Sequence, residues 1–142
     1  MLVDANVLLY AIDEESPQHD RARAWLEQQL NGVRRVGFAW ETLTSFVRVG
    51  THPRALAAPL TAAEALAYVE DWLAAPPAWI PLPTEAHAGA FAAIVRRYGV
   101  TGDLIPDARL ATLALEHGLT ICSADTDFAR FTEVEWLNPI AA

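Results

Sequence analysis

The sequence predicts an α/β sandwich built on a small parallel sheet of four or five strands. Short apolar segments alternate with longer stretches of helical periodicity along the whole chain. Such alternation implies parallel pairing, with helices packed on the sheet. The apolar segments are few and short, which keeps the sheet small. The 142 residues are 53% hydrophobic and 20% charged, which excludes a disordered chain. Surface scaling gives ~7,200 Å² folded against ~22,500 Å² unfolded, enough burial for one core. A single domain over residues 1–142 is expected.

Met1–Val3 reads as the first strand, ending at Asp4. The apolar run Asn6–Ile12 opens a helix. Ser16-Pro17 has the form of an N-cap followed by proline at the first helical position, and His19–Leu30 continues as helix to Asn31-Gly32. Arg35–Phe38 is a second strand. Trp40–Val49 places Leu43, Phe46 and Val47 at helical spacing, and Thr51-His52-Pro53 breaks it. Thr61 precedes Glu64 by three residues, a capping-box pattern, and the helix stops at Pro76-Pro77. Trp79–Leu82 suits a third strand. Thr84–Arg97 and Pro106–His117 are helices closed by Gly99 and Gly118. Leu119–Cys122 is a fourth strand, Asp127–Phe131 a helical turn, and Val134–Leu137 a last strand.

One cysteine, Cys122, excludes an internal disulfide framework. No apolar run reaches the ~18–20 residues of a membrane span, and the N-terminus lacks the basic region of a signal peptide. A cytoplasmic protein without a membrane partner is expected. Net charge is −8, and all ten basic residues are arginine. Such a chain does not gather nucleic acid by its overall field; it needs local arginines or bound cations.

Most of the acids have a solvent-facing reading, Glu64 and Glu116 among them. Four do not. Asp4 follows an apolar strand and precedes VLLYA, where an unpaired carboxylate is costly. It stands at the carboxyl end of a strand, where α/β sheets bind ligands, although a helix N-cap would also explain it. Asp125 repeats the arrangement after TICSA, with Ser123 and Asp127 beside it. Asp107 opens the helix DARLATLALEHG, and Glu41 opens LTSFVRV; each also suits the positive end of a helix. Asp103 reads as a loop acid. Side by side, such carboxylates repel, and a hard divalent cation such as Mg²⁺ resolves the conflict. The four histidines lack zinc-ligand spacing.

The segments VDANVLLYA (residues 3–11), WETL (40–43), TGDLIPDARLATLALEHG (101–118) and ICSADTDFARF (121–131) together resemble the PIN-domain family. The resemblance is greatest to the VapC class of toxins from type II toxin–antitoxin systems. It implies a three-layer α/β/α sandwich with a parallel sheet and an endoribonuclease dependent on Mg²⁺, with Mn²⁺ as an alternative. It assigns Asp4, Glu41, Asp107 and Asp125 to the catalytic, metal-holding set. Asn6 and Ser123 match supporting polar residues, and Asp127 matches a frequent neighbour. Asp103 departs from the family pattern, in which another polar residue is usual. The implied partners are an RNA substrate and a cognate VapB-type antitoxin that supplies an arginine-rich segment and an apolar helix. Arg109 is a candidate for touching phosphate.

Three other functions compete with this one. A phosphohydrolase with Asp4 as covalent nucleophile wants an acid two residues on and a lysine; here stand Asn6 and no lysine. The others are a PIN module that binds RNA or a partner without cleavage, and a DNA nuclease. A homodimer burying ~1,200–2,000 Å² is also expected, because Trp72 and Trp79 flank Pro76-Pro77 beside alanine-rich helices. Burial of both tryptophans in the core is the opposing reading.

Overall fold

A computed structural model describes residues 1–141. The strands are β1 (Leu2–Val3), β2 (Val36–Gly37), β3 (Ala78–Trp79), β4 (Ile121–Cys122) and β5 (Trp136–Leu137). They form one parallel sheet in the order β3-β2-β1-β4-β5. The helices are α1 (Ala5–Ile12), α2 (His19–Leu30), α3 (Trp40–Gly50), α4 (Ala62–Ala74), α5 (His87–Tyr98) and α6 (Ile105–His117). Turns of 3₁₀ helix cover Gly102–Leu104 and Thr126–Arg130.

Alternation along the strands divides the core into two. Val3 and Val36 face a cluster containing Val7, Leu8, Leu26 and Phe46, from α1, α2 and α3. Leu2 and Ile121 face the other side, against Ile94, Ala111 and Leu113 from α5 and α6. The sheet is therefore the middle of three layers, as expected. The solvent-accessible area is 7811 Å², close to the scaling value. Among the described residues no helix is long and apolar enough to cross a membrane.

The capping box at Thr61 forms: its hydroxyl accepts from the Glu64 amide at 3.1 Å, and Glu64 Oε1 accepts from the Thr61 amide at 2.9 Å. Gly118 ends α6 at φ 63°, a conformation that favours glycine. Gly37 serves a different need. A β-carbon there would lie 3.1 Å from the Met1 carbonyl oxygen and 3.3 Å from Pro81 Cγ, so its absence lets the neighbouring chain close on β2.

Every strand is shorter than expected and several helix boundaries shift by one to three residues; three of these differences have a local cause. α2 starts at His19 without a serine cap, because the Ser16 hydroxyl accepts from the Gln18 amide inside the preceding turn. β3 is shorter and starts one residue earlier, since Pro81 and Pro83 cannot donate to a ladder. α5 starts three residues late, after a turn in which the His87 amide donates to the Thr84 carbonyl.

One open side-chain reading is settled and one changes. Trp72 is 7% exposed and lies in the core, edge-on to Phe46 at 4.7 Å and stacked on Phe38 at 6.3 Å. Trp79 is half-buried beneath the Arg35 guanidinium, 3.8 Å from its ring centre. The pair therefore offers no tryptophan-rich dimer face. Glu116 is no solvated acid: its side chain is 5% exposed. It accepts from the Thr84 amide at 3.1 Å and from the Thr84 hydroxyl, and its other oxygen lies 2.6 Å from His87 Nδ1. This clamp ties the end of α6 to the start of α5.

Desolvation pushes the Glu116 carboxyl up, but the hydrogen bonds from His87 and Thr84 together outweigh it, and the net direction is down. The folded state thus binds this proton more weakly than the unfolded state. Its stabilisation is complete above the ordinary glutamate range and is lost as the pH falls through the lower folded value. Urea denaturation of wild type and Glu116→Gln should differ at pH 7, by about 0.5–1.5 kcal/mol for weakened, partly buried hydrogen bonds. The difference should shrink below about pH 4.

Candidate metal centre

The strand order places the site. The chain runs outward from β1 to β2 and β3, then crosses to β4 and β5 on the other side. The order reverses between β1 and β4, and ligands of parallel sheets bind at that point, beyond the strand carboxyl ends. Asp4 directly follows β1, and Asp125 lies three residues after β4. Asp107 comes from the first turn of α6.

Asp4 is held by four residues. Its Oδ2 accepts from the Ser123 hydroxyl at 2.8 Å and from Asn6 Nδ2 at 3.2 Å, and its Oδ1 accepts from the Ala5 amide at 2.8 Å. The Asp4 amide donates to the Cys122 carbonyl at 3.0 Å, fixing β1 against β4. Ser123 is fully buried and fully used. Its hydroxyl donates to Asp4 and accepts from Asn6 Nδ2 at 3.0 Å and from the Asp125 amide at 3.0 Å. Asn6 Oδ1 accepts from the Ala124 amide at 3.1 Å. Asp4 is therefore both the cap of α1 and part of a network joining the two strand ends. The two readings open in the sequence describe one side chain.

Asp107, Asp125 and Asp127 each place one carboxylate oxygen within 4.8 Å of the others. Asp125 Oδ1 accepts from the Asp127 amide at 2.8 Å, so the 3₁₀ turn after β4 sets the spacing. Arg130, one turn on, lies 3.6 Å from Asp127 Oδ1. Burial pushes the Asp107 carboxyl up to about 6, with Asp125, Asp4 and Asp127 adding repulsion and Arg130 opposing it. Burial also raises Asp4, against the hydrogen bonds from Ser123 and Ala5, and Asp125 adds to the rise.

Glu41 and Asp4 stand outside the close trio. Glu41 opens α3, and its Oε1 lies 3.7 Å from Arg109 Nε, on α6 two residues after Asp107. Asp103 sits exposed in the 3₁₀ turn before α6. Asp127, expected only as a neighbour, contributes to the cluster as closely as Asp125. Arg130 was not foreseen, although its i+3 spacing from Asp127 was visible in TDFAR. Cys122 is buried, and desolvation pushes its thiol up to about 11, which makes it no nucleophile.

The donor set fits a hard divalent cation. All three clustered groups are carboxylates, no histidine or cysteine joins them among the described residues, and Arg130 opposes part of their effect on Asp107. Such a site, at the switch point of a parallel sheet, suits metal-assisted hydrolysis of phosphate esters.

The PIN domain profile matches residues 1–134. The chain belongs to the PIN-domain family. It is 45% identical over 140 residues to Ribonuclease VapC37 of Mycobacterium tuberculosis, covering 99% of this chain and 97% of that one. It is 38% identical to Ribonuclease VapC33 of the same species, covering 99% and 98%. Two solved structures share the fold. VapBC2 from Rickettsia felis, bound to a promoter DNA fragment, superposes with a TM-score of 0.69 at 13% identity over 96% of each chain. Mycobacterium tuberculosis VapC20, described as a Sarcin-Ricin loop cleaving toxin, gives 0.66 at 16% identity over 94% of this chain and 96% of that one.

The raised Asp107 carboxyl makes the folded state bind its proton more tightly than the unfolded state does. In EDTA, stability should therefore fall as the pH rises from the ordinary aspartate range through about 6. Asp107→Asn should remove that part of the slope. Thermal denaturation of both proteins between pH 4.5 and pH 7, on the order of the titration range, tests this.

Proposed function

We propose that the protein is a divalent-cation-dependent endoribonuclease, the toxin of a VapC-type toxin–antitoxin pair, acting in the cytoplasm. The observation that carries this reading is the approach of Asp107, Asp125 and Asp127 within 4.8 Å, beside the locked Asp4. High identity to named ribonucleases over almost the whole chain supports it.

In this reading Asp4, Asp107 and Asp125 hold the cation, Asp127 adds a fourth carboxylate, and Glu41 completes the set at the rim. A bound Mg²⁺ or Mn²⁺ supplies positive charge that stabilises a phosphodiester under attack and lowers the pKa of water. The protein's own residues keep the acids in place. Ser123 and Asn6 fix the Asp4 carboxylate, and three hydrogen bonds leave it acceptor capacity toward the cluster. Arg109 holds Glu41 from the Asp107 helix and presents a cation toward substrate phosphate. Arg130 partly offsets the charge of Asp127.

The antitoxin partner has support of its own. A cavity of about 490 Å³ opens between α1, α2 and α4, with Leu26, Leu30 and Trp72 on its walls and Glu14, Glu27 and Asp71 around them. Arg23 also lines it and pairs with Glu27 at 2.9 Å, which leaves Glu14 and Asp71 as the unpaired acids there among the described residues; apolar walls beneath them suit an amphipathic, arginine-bearing segment. A homodimer remains part of the proposal, carried by the family and not by Trp72 and Trp79.

A single-stranded RNA and its DNA counterpart, each incubated with Mg²⁺ and with EDTA, test the activity. Cleavage of RNA in Mg²⁺ alone is expected; cleavage of neither strand would leave a binding module. Asp107→Asn is the cleanest variant, because no hydrogen bond to Asp107 would be lost. It should lower cleavage by at least about 10²-fold, the usual scale for removing an electrostatic group from such a site. Asp4→Asn should be equally inactive but also less stable, by about 1–3 kcal/mol, since its single amide oxygen cannot accept both from Ser123 and Asn6 on one side and from the Ala5 amide on the other. Glu64→Gln should leave cleavage unchanged.

A further inference from the structure

We propose that an exposed stripe on α3, Trp40–Thr44–Arg48, together with Arg109 across a cavity, is a subsite for single-stranded RNA beside Glu41. This rests on the nuclease reading above and specifies how the strand is held. The three α3 residues are spaced i, i+4, i+8, so they line one face over about 12 Å of helix. All three are exposed. Trp40 is 55% exposed, an unusual position for so large an apolar ring, and it directly precedes Glu41 at the rim of the site.

A cavity of about 450 Å³ lies between this face and the start of α6, lined by Glu41, Thr44, Arg48 and Arg109 with Ile105 and Pro106. Its volume lies in the range of small-ligand sites. Its polar groups are of the right kind. Among the described residues, the Arg48 side chain makes no hydrogen bond or ion pair. Arg109 reaches only Glu41, through Nε at 3.7 Å, which leaves its terminal amino groups free. The Thr44 hydroxyl donates to the Trp40 carbonyl at 2.7 Å and is not available to a ligand. In a chain of net charge −8, two such guanidiniums beside a carboxylate site provide the local positive charge that a polyanion needs. Trp40 offers a flat face on which any base can stack. The subsite therefore binds phosphate through Arg48 and Arg109 and a base through Trp40, with little sequence preference.

The test is fluorescence anisotropy of a labelled, mixed-sequence oligoribonucleotide titrated with the full chain in EDTA, where no cleavage occurs. Trp40→Ala should weaken binding about 5- to 50-fold, and Trp40→Phe should keep most of the affinity. Arg48→Gln should reduce the slope of log K against log salt by about 0.7, one phosphate contact on a single strand. All these positions are exposed, so circular dichroism and melting should match wild type. Absence of saturable binding by wild type, or equal affinity in the variants, overturns the proposal. Loss of self-association in light scattering with unchanged RNA affinity also overturns it and assigns the stripe to a second copy of the chain. Cleavage by the same proteins in Mg²⁺ is read separately. Wild type that cuts RNA while the variants bind normally refutes the subsite alone; wild type that binds but never cuts refutes the nuclease reading.

Discussion

The structure depends on bringing several carboxylates to one seam of a parallel sheet without leaving any of them loose. Like charges in a half-buried site repel, and burial alone favours their protonated forms. The protein meets this constraint with Ser123. One buried hydroxyl donates to Asp4 and accepts from Asn6 and from the backbone of Asp125, so β1, α1 and the turn after β4 share one fixed point. Remove that hydroxyl and Asp4 loses a donor, Asn6 loses an acceptor, and the Asp125 loop loses its anchor. Burial, and after it the neighbouring acids, raise the carboxyl of Asp107; a hard cation would relieve the repulsive part.

The fold serves this seam. Reversal of strand order between β1 and β4 leaves a crevice at their carboxyl ends, and the two helical layers close the sheet on either side. α6 carries Asp107 at one end and the Glu116 clamp at the other. The clamp fixes the far end of α6 against α5, so the near end is presented to the cluster from a rigid rod. This links a structural acid, Glu116, to the placement of Asp107, and the two differ in the direction of their shifts for a clear reason. At Glu116 the donors His87 and Thr84 outweigh burial and the carboxyl falls; at Asp107 burial leads, the neighbouring acids add to it, and the carboxyl rises.

Much of this was legible in the sequence because it depends on local signals. Strand–helix alternation gave the parallel sheet, Thr61 and Glu64 the capping box, and Gly99 and Gly118 the helix ends. Asp4 and Asp125 were legible as strand-end acids because apolar segments precede both. The parts not legible depend on contacts between distant residues. Thr84, His87 and Glu116 meet only once α5 and α6 pack, so Glu116 reads as a solvated acid in the sequence. Beside Pro76-Pro77 the sequence leaves Trp72 and Trp79 open between a dimer face and the core; only packing decides, with Trp72 against Phe46 and Trp79 beneath Arg35. Glu41 reads as equivalent to the other acids, but α3 places it opposite Arg109, outside the close trio. Asp127 enters the trio through a backbone turn whose shape the residue pattern only partly specifies.

The central claim is that these carboxylates form one cation site whose occupancy competes with a proton on Asp107. Calorimetric titration of Mn²⁺ into the metal-free protein tests it most directly. The account predicts saturable binding that weakens as the pH falls below about 6 and that drops at least about tenfold in Asp125→Asn, because ligand carboxylates must be ionised to bind. Binding that is independent of pH across this range and unchanged in Asp125→Asn would contradict it.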